Sequence, residues 1–168
     1  MAEEIVNRVA ASGIITLELD RYHRQGDRVL LDLATRLENG FLLREKSFRE
    51  FIRTTDWSQY AGKFVAVCCS ADAIIPAWAY MLVGTALQPH AAMVVFGSLE
   101  SLEERLFLEA LNTEDWNRFR DARVVVKGCT SVEVPAAVYL DVAARLRPVA
   151  MGIMFGEACS SVPVFKKK

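Results

Sequence analysis

Three of the four cysteines occur in like settings although they lie far apart in the chain. Cys69 follows an apolar run at 63–68. Cys129 follows a second run at 123–127, directly after Gly128. Cys159 comes four residues after a third run at 151–155. Short, nearly all-apolar runs are the mark of strands buried on both faces. If those strands are parallel, right-handed crossovers put their carboxyl ends on one edge, where ligands of open α/β sheets bind. Cys69 and Cys129 are followed within a few residues by Pro76 and Pro135, which suit the first turn of a helix. Thiols in such loops gain from the helix dipole and its free amides, so the thiolate is favoured.

Converging thiolates are how a soft metal site is built, and three with one further ligand complete a tetrahedron around zinc or iron. Asp72 and Glu157 are the nearest carboxylates and the candidate fourth ligands. A water or substrate in that place would leave the site open. No CxxC pair is present, and small half-buried loop residues would show the same spacing. Cys68 alternates with Cys69 along its strand, so it reads as a small core residue pointing the other way. His23 lies in a polar turn and reads as solvated. His90 follows Pro89 at the amino end of a strand, on the edge opposite the cysteines.

No dinucleotide fingerprint, Walker loop, HExxH or GxSxG is present. Twenty Lys and Arg against 21 Asp and Glu give a net charge of −1, which argues against nucleic acid as a partner. The three terminal lysines read as a solvated tail. Trp57, Trp78 and Trp116 are spread along the chain and read as packing residues. Asp72, Pro76, Gln88, Pro89 and His90 interrupt the most apolar stretch short of a membrane span. The acidic start, Met1-Ala2-Glu3-Glu4, is unlike a signal peptide. These features point to a cytoplasmic protein with no membrane partner, in which cysteines serve as thiols or ligands.

The elements that would position the cysteines read as a single α/β domain over 1–168, three-layered, with a largely parallel sheet. Alternating strand and helix occupy 61–165: strands at 63–68, 92–96, 123–127 and 151–155, and helices at 76–88, from Ser98 as N-cap, and at 135–147. The first 60 residues are less regular. Strands at 14–19 and 28–33 and a helix over 44–53 look like an antiparallel addition at an edge of the sheet, or a dimer-forming arm. No internal repeat is evident.

Several motifs resemble a bacterial family catalogued as domain of unknown function 2480. They are Val6-Asn7 with Ser12-Gly13, Leu43-Arg44-Glu45-Lys46 with Phe48-Arg49-Glu50-Phe51, and Asp56-Trp57-Ser58-Gln59-Tyr60. Also alike are Cys69-Ser70-Ala71-Asp72-Ala73-Ile74, Trp78-Ala79-Tyr80-Met81, Lys127-Gly128-Cys129 and Cys159-Ser160-Ser161-Val162-Pro163. The resemblance covers essentially the whole chain. It implies that Cys69, Cys129 and Cys159 are the characteristic cysteines, and that Cys68 and His90 are not. It also implies a link to iron–sulfur cluster assembly or sulfur metabolism, and hence to assembly proteins as partners. The leading expectation is a metal-binding protein with a three-cysteine site for zinc or iron. A cysteine-dependent transferase carrying a persulfide or acyl group is the alternative. A partner-binding scaffold with structural cysteines is the third, and a homodimer is compatible with each.

Overall fold

Valine-rich runs form the centre of each sheet because their branched side chains fill both faces of a covered strand. The computed structural model describes residues 13–128, 132–157 and 160–168. Its strands are β1 (Ile14–Glu18), β2 (Arg28–Asp32), β3 (Phe64–Cys68), β4 (Met93–Phe96), β5 (Arg123–Lys127), β6 (Gly152–Glu157) and β7 (Ser160–Lys166). Its helices are α1 (Glu45–Thr54), α2 (Ala77–Leu87), α3 (Leu99–Leu111) and α4 (Ala136–Leu146). The class is α/β, and the sheets are largely parallel. The strands divide between two sheets, β1-β5-β6-β7 and β2-β3-β4, which strand periodicity alone does not reveal. Among the described residues no helix is long and apolar enough to cross a membrane.

The chain forms two compact units. One, the inserted unit, is Gln25–Arg105. The other, the split unit, joins the chain up to Arg24 with Leu106–Lys168. In the inserted unit β3 is buried along most of its length and carries β2 on one side and β4 on the other. Leu31, Leu33, Phe48, Trp57, Val65, Val67, Ala79, Val83 and Leu87 form its core. On the face opposite Val65 and Val67, Arg28 makes a paired salt bridge with Glu103 of α3. In the split unit β5 has the same central place, between β1 and β6. Leu17, Leu19, Phe107, Phe119, Val124, Val126, Val142 and Leu146 are among its core residues.

The two units are copies of one design, and the expectation of no repeat is wrong. Phe48, Trp57, Pro76, Tyr80, Leu87, Pro89 and Phe96 each recur 59 residues on, as Phe107, Trp116, Pro135, Tyr139, Leu146, Pro148 and Phe155. The strand registers agree residue for residue: Phe64 pairs with Arg28 and Met93, and Arg123 with Ile14 and Gly152. The details follow. Asp56 caps a short 3-10 turn by accepting from Ser58 N at 3.0 Å, and Asp115 does so from Asn117 N at 3.1 Å. Trp57 Nε1 donates to Ile52 O at 2.8 Å, and Trp116 Nε1 to Leu111 O at 3.3 Å, each satisfying a carbonyl near a helix end. Repetition escapes a reading by motif because the shared positions are scattered singly along the chain. The inserted unit also separates β1 from the rest of its own copy.

The N-terminal strands do lie at sheet edges, β1 beside β5 and β2 beside β3. They pair parallel, not antiparallel. Each belongs to a different unit, so a hairpin between them does not form. The antiparallel strand is β7, at the other end of the chain. Pro163 and an exposed alternation hide it from a reading by β-propensity. The terminal lysines are exposed but not a free tail: Lys166 ends β7, and Lys167 N donates to Met151 O at 2.8 Å.

The repeat generates two predictions. Leu87→Ala and Leu146→Ala, both at fully buried and equivalent positions, should each cost about 2–5 kcal/mol in urea unfolding. A cost near zero at either would deny it a core role. Gly62 (φ 70°) and Asp121 (φ 57°) occupy the same left-handed turn before β3 and β5. Gly62→Ala should lose about 1–2 kcal/mol to the strain of a side chain there. Asp121→Gly should leave the melting temperature unchanged or raise it.

Candidate metal centre

The carboxyl ends of β5 and β6 are neighbours, because the two strands run parallel in register through Val126 and Phe155. Beyond that pair Lys127 Nζ meets Glu157 Oε1 at 3.0 Å, an exposed ion pair that ties the two strand ends together. The carboxylate holds the Lys127 ammonium above its ordinary range, first by hydrogen bonding and then by charge. Gly128 follows β5. A Cβ on it would stand 2.9 Å from the Tyr139 hydroxyl, so glycine lets the phenol close over this turn. Below the same edge an apolar hollow of about 520 Å³ opens between α4 and the sheet, lined by Val126, Tyr139, Leu140, Ile153, Phe155 and Val164 among others. Cys129 and Cys159 lie outside the described residues, two positions beyond Lys127 and two beyond Glu157.

Cys69 follows β3 of the inserted unit, so it leaves a different sheet from the other two cysteines. It is half-buried against the core beside Val67, and its Sγ is 3.7 Å from Ala71 O. Cys68, expected as the core cysteine, is half-buried and outside that cluster. Strand alternation explains the exchange: Val65, Val67 and Cys69 share the face under α2, and Cys68 falls with Ala66 on the other. Burial pushes the Cys68 thiol up, and the charges of Asp32 and Cys69 push the same way. It is therefore a protonated thiol at neutral pH. Asp72 is exposed in the turn three residues after Cys69.

Beside Cys68 stands an arrangement that sequence reading passed over. Asp32, at the end of β2, accepts from Ser70 N at 3.0 Å and from Ala34 N at 2.9 Å, and takes the Ser70 hydroxyl as well. The Ser70 hydroxyl foremost, then the two amides, hold its carboxyl below the usual range. Asp32 thus pins the turn that carries Cys69. The register pairs Asp32, which ends β2, with Cys68, which ends β3.

The histidines separate. His90 N donates to Leu87 O at 2.9 Å and its carbonyl accepts from Gly62 N at 2.9 Å, at the amino end of β4 and so away from Cys69, as expected. His23 is not simply solvated: its ring lies 6.1 Å from that of Phe107. All three tryptophans pack in or against the cores, as expected. Among the described residues no group of three His, Cys, Asp or Glu side chains converges on a point that would hold a metal. What the described residues do bring together is the Lys127–Glu157 end of β5 and β6, and separately the Asp32–Ser70–Cys68–Cys69 end of β2 and β3.

Searches of curated proteins and of solved structures returned no match. A family model described as Protein of unknown function (DUF2480) matches residues 3–167, nearly the whole chain. The chain therefore belongs to the DUF2480 family.

Proposed function

We propose that the protein binds a soft metal ion, zinc or iron, through cysteine thiolates. The observation that carries this reading is the Lys127–Glu157 pair at the ends of two adjacent parallel strands. Two residues of chain span at most about 7 Å, so the thiols of Cys129 and Cys159 start from neighbouring anchors. Thiolates select zinc and iron over magnesium or calcium.

Cys69 is the third thiolate of this reading. The 59-residue correspondence sets Cys69 opposite Gly128 and Ser70 opposite Cys129, so the turn after the central strand carries a cysteine in both copies. An oxygen completes the set, from Asp72, Glu157 or water. Glu157 meets Lys127 through Oε1, which leaves its second oxygen for a metal. With water as the fourth ligand the metal remains open to a further group. Such a site suits an accessory of iron–sulfur cluster assembly or sulfur metabolism working in the reducing cytoplasm.

Protein purified without tags or chelators should carry close to one zinc or iron per chain by elemental analysis. Loading should fall sharply in Cys69→Ser, Cys129→Ser and Cys159→Ser and persist in Cys68→Ala and His90→Ala. Equal metal in all five folded variants would remove the site. Loss in Cys129→Ser and Cys159→Ser alone would remove Cys69 from it.

Acidity supplies a second check. Ligand thiols are bound deprotonated and must take up protons to release the metal. Loading should therefore be complete at mildly alkaline pH and fall as the pH drops to about 5, with proton release on rebinding. Loading that rises with acidification would contradict thiolate ligation.

A further inference from the structure

The repeat contains its own control for what belongs on the open edge of the inserted unit. In the split unit the strand beside the centre, β6, is covered on its far side by antiparallel β7, with Ile153 opposite Phe165. In the inserted unit the equivalent strand, β4, ends the sheet, and among the described residues nothing pairs with its far side. The consequence is visible in burial. Ile153 is 3% exposed while its counterpart Val94 is 36% exposed, and Phe155 is 42% exposed against 71% for Phe96. Val94 and Phe96 lie at the rim of an apolar core whose twin is closed by a strand bearing phenylalanine.

Sheet edges are normally guarded by charge, proline or bulges. β1 carries Glu18, β2 carries Arg28 and Asp32, and β7 carries Pro163 and Lys166. β4, Met-Val-Val-Phe, carries none of these. Met81 on α2 and Leu99 on α3 add exposed apolar surface in the same unit. The backbone is set as well. Gly97 N donates to Val67 O on β3, and ladder alternation then leaves the N–H and C=O groups of Val94 and Phe96 facing outward.

We propose that this edge is a docking surface for a second copy of the same chain, β4 pairing antiparallel with β4 of its partner about a twofold axis at Val95. This register joins the outward groups of Val94 to those of Phe96 in the other copy, and the reverse, four hydrogen bonds in all. It also sets a branched aliphatic opposite a phenylalanine, the pair that Ile153 and Phe165 already make on β6. The strand is thus complementary to itself, as a twofold interface requires. No charge on β4 opposes the approach of an identical strand. The result is one continuous six-stranded sheet with both exposed rims covered.

Sedimentation velocity over a micromolar dilution series tests this. The 18.8 kDa chain should sediment as a dimer. Val94→Lys should raise the dimer dissociation constant at least about tenfold, since it sets an ammonium against Phe96 of the other copy on both sides of the axis, while Val164→Lys on β7 leaves it unchanged. Should Val94→Lys fail to fold by circular dichroism, Val95→Cys decides. Facing Cα atoms at a non-hydrogen-bonded antiparallel pair lie about 4.5 Å apart, within disulfide reach. Diamide should therefore link Val95→Cys into a dimer on a non-reducing gel and leave the wild type unlinked. A monomeric wild type overturns the proposal. So does a dimer that folded Val94→Lys does not weaken, or a Val95→Cys protein that stays unlinked. A monomer that nonetheless binds a separate apolar extended peptide would assign the edge to a different partner.

Discussion

A strand buried on both faces has no polar side of its own, and each unit is built around one. β3 and β5 are apolar along their buried length and satisfy their backbones through a parallel neighbour on either side. Parallel neighbours require crossovers. α2 makes the crossover from β3 to β4 and α4 that from β5 to β6, and their Val83, Leu87, Val142 and Leu146 reach the cores. The polar and reactive side chains are then left to the strand ends. Lys127 and Glu157 meet at the ends of β5 and β6, and Asp32 at the end of β2 meets Ser70 just past β3. Chemistry at the carboxyl edge follows from where the centre of the sheet cannot hold it.

The same skeleton carries different ends in its two copies. The last residue of the central strand is Cys68 in one and Lys127 in the other, and the first residue after it is Cys69 or Gly128. Asp32 holds its turn by three hydrogen bonds, whereas the split unit ties its strand ends by an ion pair. Ring contacts remain alike in the two copies: Tyr80 meets Phe96 edge-on at 5.2 Å, and Tyr139 meets Phe155 at 5.7 Å. The pattern is that of a duplicated scaffold whose interior is fixed and whose rims have separated in role. One edge gained β7, and the other kept its apolar side chains uncovered.

Much of this was legible in the amino-acid order. Strong periodicity located β3 to β6, and Pro76 and Pro135 marked where α2 and α4 begin. Ser98 was readable as a cap, and its Oγ accepts from Ser101 N at 3.2 Å. The partition into two sheets was not legible, since strand patterns say which segments are buried but not which neighbour each one meets. The direction of β1 and β2 was missed for the same reason: a polar turn at Gly26 suits a hairpin, yet their partners lie elsewhere in the chain. Of the site, the placement of Cys69 past a strand end was readable. The Asp32–Ser70 clasp was not, because it spans 38 residues and depends on register.

The proposed metal centre makes sulfur the dominant neighbour of the ion, and X-ray absorption at the metal edge counts those neighbours directly. Protein purified with its native metal should show a first shell of three sulfurs at about 2.3 Å with one lighter atom nearer in. A shell of oxygen and nitrogen alone, around a stoichiometric metal, would contradict thiolate binding at this edge.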